Sequence, residues 1–269
     1  MRADLHIHTH YSDGSFPPER LIELAEERRL DYLAITDHDC FAAHGAASRA
    51  VATRGLALKL ISAAEFTAML DGEEIHVHGY FKEIPSARIQ HHAEQVQAER
   101  RARIEHALEN LAAVGINASI DEIPAHPDCL SLTQLHLAQL LVDKKYATTI
   151  REAREVYLTE RFLPKFSMSA KEVIGTITGE GGVAVWAHPD TDNFDRNLKT
   201  LTKLGLTGVE VLNLRRQGKA SKQFIKAARK NDLVTTLGSD WHGHTHEYHF
   251  DQELEGDRIL PAFLERLYG

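Results

Sequence analysis

The chain opens on "DLHIHTHYSDG", which places His6, His8 and His10 at alternate positions and Asp13 in the turn that follows. Alternate residues of a strand face the same side, so imidazoles spaced this way crowd one face. A core face occupied by polar rings is unfavourable unless something binds them. Similar residues recur downstream: Asp37, His38 and Asp39 in "TDHD", Glu65 in "AAEF", and His76 and His78 in "EIHVHG". His188 follows in "VWAHPD", then Asp240 and His242 in "GSDWHG". Imidazoles and carboxylates without cysteine suit Zn2+, Mn2+ or Fe2+ rather than a structural zinc knot. Nine such ligands exceed the needs of one ion and imply two or three, with a carboxylate bridging. A cluster of that kind acidifies a bound water, clamps a displacement at phosphorus and neutralises a phosphate dianion.

These residues need elements that bring them together. Strand-like runs are "ADLHIHT", "YLAITDH", "LALKLISAAEFTA", "EEIHVHGYF", "GVAVWAH", "GVEVLN" and "VTTLGSD", seven in all, and most are followed by an amphipathic helical run. Alternation of this type argues a parallel sheet with right-handed crossovers, open or closed into a barrel. In such barrels function gathers at the C-terminal strand ends. Six of the seven strands end in imidazole or carboxylate; the sixth ends in Asn213, followed by Arg215 and Arg216. "LDGE" between the third and fourth runs is a hairpin signal. Each motif alone has an ordinary reading: "TDHD" as a helix-capping turn, "SDG" as a turn, a single strand histidine as core. Their recurrence at strand ends is what points to a site.

The alternation breaks between residues 86 and 166. A charged helical stretch runs from about 88 to 114 and stops at Gly115, and "SLTQLHLAQLLVDKKY" and "TIREAREVYLTERF" add two more helices. Residues 1–85 and 167–269 are therefore expected to form the barrel, and 86–166 a helical insertion that caps its rim. Arg100, Arg101 and Arg103 on the long helix read as a solvated face.

The bulk composition is that of a globular protein: 269 residues, 43% hydrophobic, 26% charged, net charge −8. An acidic balance argues against a general nucleic-acid backbone binder, though not against a local basic pocket. Two cysteines cannot build a disulfide framework, and the N-terminus lacks an apolar signal segment. No apolar run nears the roughly 20 residues that span a bilayer. The expectation is a soluble cytoplasmic protein with no membrane contact and no obligate protein partner.

In their order, "DLHIHTHYSDG", "AITDHD", "AHP" and "GSDWHG" resemble the motifs of the PHP (polymerase and histidinol phosphatase) family of metal-dependent phosphoesterases. The helical insertion after "EIHVHGY" resembles the branch holding 3′,5′-nucleoside bisphosphate phosphatases and 5′-3′ exoribonucleases. The resemblance implies an α/β fold, a distorted seven-stranded (β/α)7 barrel with a trinuclear centre. It implies that His6, His8 and Asp240 hold one ion, that Glu65 bridges it to a second held by His76 and His188, and that Asp13, His38 and His242 hold a third. His76 is chosen over His78 by its motif position, with His78, on the same strand face, as the alternative. His10, His44, His91, His92 and His126 match no ligand position. Asp37 is expected to orient a ligand imidazole. The catalytic set implied is His6, His8, Glu65, His188, Asp240 and His242, working through a metal-bridging hydroxide on a phosphomonoester of a small nucleotide-like substrate.

On the substrate side His136 fits the branch, but Gln134 stands where a phosphate-gripping arginine is expected, and "DTDNFD" after "AHP" is acidic. The remaining cations near the rim are Arg215, Arg216, Arg161 and Lys165. Arg215, Lys165 and His136 are the expected substrate-phosphate contacts. Rival readings are a 5′-3′ exonuclease on short RNA ends, a phosphatase for histidinol phosphate or a cyclic phosphodiester, and a metal-binding domain without turnover.

Overall fold

The computed structural model describes residues 1–212, 219–243 and 256–269. Seven strands form one sheet in sequence order: β1 (Ala3–Ile7), β2 (Tyr32–Ile35), β3 (Lys59–Leu70), β4 (Glu73–Phe81), β5 (Val183–Trp186), β6 (Gly208–Leu212) and β7 (Val234–Leu237). Past β7 the chain returns to β1. Asp240 N donates to His6 O at 2.7 Å, and His8 N to Trp241 O at 3.1 Å. The sheet thus curls into a nearly closed barrel. A Cβ on Gly238 would lie 2.2 Å from the His6 Cβ, so glycine is what lets the two ends meet.

The expectation of a parallel sheet gives way at one strand. β4 runs antiparallel to both β3 and β5, while the other neighbours are parallel. The cause is the "LDGE" turn. Asp71 and Gly72 have φ of 50° and 85°, the two left-handed positions of a type I′ hairpin. Two residues can reverse a strand, whereas a parallel crossover needs a dozen or so. β3 also runs past the barrel rim. His38, at the end of β2, lies opposite Glu65, yet β3 continues to Leu70. β4 then descends, so His76 and His78 reach the rim from its middle, on either side of Val77.

The helices follow their sequence signals. α1 (Pro18–Glu27) starts at a proline and buries Leu21, Ile22 and Ala25; α2 (Ala43–Arg54) ends at Gly55, whose φ of 63° halts it. After β4 come α3 (Ala87–Ala112), α4 (Gln134–Asp143) and α5 (Ile150–Tyr157), with no strand between them. α6 (Ala170–Gly179), α7 (Phe194–Lys203), α8 (Lys219–Lys230), α9 (Gly256–Ile259) and α10 (Pro261–Tyr268) complete the chain. No described helix is long and apolar enough to cross a membrane.

The barrel core includes Phe66, Tyr80, Val185, Val209 and Leu237. A separate apolar cluster, with Ile104, Leu108, Leu111, Leu137, Leu141 and Phe162, ties α3, α4 and α5 to one another. α3 departs from its expected solvated face. Arg101 is exposed and pairs with Glu105, but Arg100 and Arg103 are buried. Arg100 Nε donates to Asp39 Oδ2 at 2.7 Å and its Nη2 bonds Thr67 Oγ1. Arg103 Nε donates to Pro164 O at 2.6 Å, and its guanidinium lies 3.4 Å from the centre of the Phe166 ring. Arginine is a natural choice here, because its planar fork can be satisfied and stacked at once.

Candidate metal centre

The β1 alternation turns His6 and His8 to one side, where their Nε2 atoms lie 3.2 Å apart and both rings are buried. Glu65 sits between the surrounding imidazoles. Its Oε2 is 3.4 Å from His6 Nε2, 3.3 Å from His8 Nε2 and 3.3 Å from His38 Nδ1. Its Oε1 is 3.1 Å from His76 Nδ1 and 3.0 Å from His188 Nε2. Asp240 Oδ1 lies 3.3 Å from His6 Nε2 and 3.6 Å from His8 Nε2. Asp13 approaches His38 at 3.6 Å and His242 at 3.4 Å. All nine residues named from the sequence as ligands therefore converge, from strands as far apart as β1 and β7.

Backbone geometry aims two of them. His188 and Asp240 have φ of 28° and 55°, left-handed values that cost a non-glycine residue roughly 1–3 kcal/mol each. They fold the chain sharply at strand ends, which turns side chains inward over the barrel mouth. The same mouth forms a cavity of about 160 Å3, lined by seven of the nine together with Leu135 and Arg154.

Electrostatics couple the buried carboxylates to the imidazoles around them. Burial alone would raise the carboxyl of Glu65, but His6, His76 and His38 hold it well below the usual range. Asp13 and Asp240 are likewise held low against their burial, Asp13 by His38 and His242 and Asp240 by His6. In return, against the effect of burial, Glu65 lifts His76 to about 10, and Asp13 lifts His242 to about 9. Burial keeps His38 and His78 well below the ordinary imidazole value.

The donor set fits divalent ions. Four overlapping groups have ligand atoms within 4.8 Å of one another: His8–Asp13–His38–His242, His6–His8–Asp240, His6–Glu65–His78 and His38–Glu65–His76. His8 Nδ1, Asp13 Oδ1, His38 Nδ1 and His78 Nε2 are buried without a hydrogen-bond partner. Orphaned polar atoms are rare in protein interiors and are explained here by ions they would ligate. His76 and His78 differ in setting. His76 lines the cavity beside His188, 3.1 Å away, whereas His78 is wholly buried, 3.9 Å from Glu65, with Nδ1 on the Tyr80 hydroxyl at 3.0 Å.

Sequence reasoning missed Glu210 on β6. It is buried, bonds His6 Nδ1 at 2.9 Å through Oε1 and accepts from His188 N at 2.7 Å through Oε2. Such a partner fixes the tautomer and aim of an imidazole, leaving Nε2 toward the cluster. Its only sequence signal was a single acid within the apolar run "GVEVL". Asp37 does something different from what was expected. It accepts from Thr9 N, Thr9 Oγ1 and Ser12 Oγ at 2.7, 2.5 and 2.6 Å, so it braces the loop that carries Asp13 rather than orienting a ring.

Of the expected substrate contacts, Lys165 and His136 do not line the cavity. Lys165 Nζ pairs with Glu160 at 2.7 Å and donates to Gly72 O at 2.8 Å, at the hairpin tip beside a different cavity that Gln134 also lines. His136 Nδ1 accepts from Thr133 N at 3.0 Å and caps α4. Arg161 lies against the Phe162 ring. Arg215 and Arg216 fall outside the described residues. His10 stacks on His126 at 4.0 Å, away from the cluster.

Residues 4–163 match the model of the PHP domain. The chain is 31% identical over 249 residues to the 5′-3′ exoribonuclease Rnm of Salmonella typhimurium, covering 89% of this chain and 84% of that one. It is 28% identical to the 3′,5′-nucleoside bisphosphate phosphatase of Chromobacterium violaceum, over 96% of this chain and 98% of the relative. A solved structure from Bifidobacterium adolescentis, of a protein predicted to be a metal-dependent phosphoesterase, superposes with a TM-score of 0.84 at 27% identity, covering 98% and 96% of the two chains. With its motifs, its barrel and its buried histidine–carboxylate cluster, the chain belongs to the PHP domain family and is a metal-dependent phosphoesterase.

Proposed function

We propose that the chain removes a phosphate from a small nucleotide-like phosphomonoester, of which a 3′,5′-nucleoside bisphosphate is the leading example. The substrate is suggested by the 28% identity to the bisphosphate phosphatase of Chromobacterium violaceum, and the observation that carries the metal chemistry is Glu65, one oxygen of which faces His6, His8 and His38 while the other faces His76 and His188. A carboxylate so placed suits a bridge between ions. On this reading His6, His8 and Asp240 hold the first, His76 and His188 the second, and Asp13, His38 and His242 a third, with Mn2+, Fe2+ or Zn2+ as candidates. Ions there supply an acidified water and offset the charge of the phosphate dianion.

The chain's own residues supply the rest. Glu210 holds the His6 ring and the His188 backbone, so both ligands stay aimed. Asp37 fixes the Thr9–Ser12 loop and thereby Asp13. The buried walls keep bulk water from the ionised carboxylates, which strengthens every charge interaction within. Residues 86–166 form the cap in this reading, and Leu135 of α4 and Arg154 of α5 are its contributions to the cavity. The two free cysteines, Cys40 and Cys129, support a reducing, cytoplasmic setting.

A second reading, a 5′-3′ exonuclease on short RNA, is favoured by the 31% identity to the Salmonella exoribonuclease. Incubation of Mn2+-supplied protein with 3′-phosphoadenosine 5′-phosphate and with a 5′-phosphorylated oligoribonucleotide separates the two. Inorganic phosphate from the first supports the bisphosphatase; stepwise mononucleotide release from the second, without phosphate from the first, replaces it with the exonuclease.

A further inference from the structure

We infer that Arg154 grips a second phosphate of the substrate, adjacent to the one being hydrolysed; this rests on the phosphoesterase reading above. Arg154 is the one fixed cation among the described residues that line the metal-centre cavity. It reaches the cavity from α5, whose orientation is set by the preceding Ala153, buried in the apolar cluster shared with α4.

Its guanidinium is exposed and makes no ion pair or hydrogen bond with any described residue. Neighbouring cations differ in this. Arg151 pairs with Glu155 at 2.8 Å, Lys165 with Glu160 at 2.7 Å, and Arg100 is locked on Asp39. Arg154 thus lines a cavity that holds three carboxylates and is paired with none of them, which leaves its donors available to a ligand. Guanidinium offers parallel N–H donors that match two oxygens of one phosphate.

The size of the cavity assigns the phosphate. About 160 Å3 is small beside the roughly 300–1,000 Å3 of typical ligand pockets. It accommodates the reacting phosphoryl group, and the remainder of the substrate must lie at the mouth. Arg154 is exposed at that mouth. The α4 helix brings Leu135 to the same wall, while Gln134 turns to the other cavity, so α4 supplies no charge here. The group Arg154 meets is therefore a phosphate beyond the scissile one. Two sources share this chemistry: the second phosphate of a nucleoside 3′,5′-bisphosphate, and the first phosphodiester of a 5′-phosphorylated RNA end.

The test compares kcat/KM of Mn2+-supplied wild type, Arg154→Gln and Arg154→Lys on four substrates. These are 3′-phosphoadenosine 5′-phosphate, 3′-AMP, 5′-AMP and a 5′-phosphorylated trinucleotide. A hydrogen bond to a charged group predicts a loss of about 10–100-fold for Arg154→Gln on the substrate carrying the second phosphate, through KM, with a much smaller change on either AMP. Arg154→Lys recovers part of the loss. A loss confined to the bisphosphate assigns the contact to nucleotides, and one confined to the trinucleotide assigns it to RNA; both sustain the inference. An unchanged preference, or an equal loss on all four, overturns it. If wild type turns over none of them, the nucleotide-substrate reading fails, and equilibrium dialysis of 3′-phosphoadenosine 5′-phosphate decides Arg154 separately. Weaker binding by Arg154→Gln sustains the contact, and equal binding removes it.

Discussion

Glu65 is buried among five imidazoles within 3.4 Å of its oxygens, an arrangement that holds only with positive charge beside it. In the absence of ions, protons on the imidazoles supply that charge. Although burial opposes it, Glu65 lifts His76 to about 10 and Asp13 lifts His242 to about 9, both above the ordinary 6.5. A pKa raised by folding contributes stability that is complete below the unfolded value and is lost as pH rises through the folded one. The ion-free protein should therefore lose thermal stability between about pH 7 and 10. Ions need neutral rings and take over the protons' role, so the ion-loaded protein should lose less over that range. Melting curves in chelator and in excess Mn2+ across this range check it, at roughly 2–4 °C of midpoint per kcal/mol for a chain of this size. Parallel declines in the two conditions would mean that the histidines do not exchange protons for metal.

At the scale of elements, the site depends on how α3 is fastened to the sheet. Arg100 reaches Asp39 and Thr67, and Gln97 Nε2 donates to Asp39 O at 2.6 Å. Asp39 follows His38 directly and its N–H bonds Glu65 O at 2.9 Å, so this strap backs two cluster residues. Replacing Arg100 with leucine leaves the buried Asp39 carboxylate without its counter-charge, with only Thr67 still donating to it, a loss of about 3–5 kcal/mol. Urea unfolding measures it, and the Arg100→Leu/Asp39→Asn double variant should regain much of it; a cost below 1 kcal/mol would place the pair outside the folding energetics. The strap was not legible in the sequence, because arginines spaced along a charged helix look the same whether they meet water or a buried aspartate. Glu210 was hidden for a related reason: one acid in a strand carries no period. The strands, the helices and the "LDGE" hairpin were legible, since periodicity and turn chemistry are local. The reversal of β4 follows from that two-residue turn, and only the wider rule of parallel alternation obscured it.

At the scale of the whole molecule, the meeting of the histidines and carboxylates was legible, and where the insertion places its cations was not. His6, His8, Glu65, His188 and Asp240 announce themselves because strand ends in a barrel share one rim, so topology alone brings them together. Cations on the insertion have no such rule. Lys165 goes to the hairpin tip and Arg154 to the cavity, according to how α4 and α5 pack on their own apolar cluster. The histidine–carboxylate cluster thus belongs to the barrel, and Leu135 and Arg154 at its cavity belong to the helices of the insertion.

The measurement that reaches the central claim most directly is phosphate release from 3′-phosphoadenosine 5′-phosphate by chelator-stripped protein titrated with Mn2+. The account predicts no turnover without metal and recovery that saturates at two or three equivalents per chain. Turnover that is undiminished after stripping, or none at any metal concentration while the ester and the fold are intact, would contradict it.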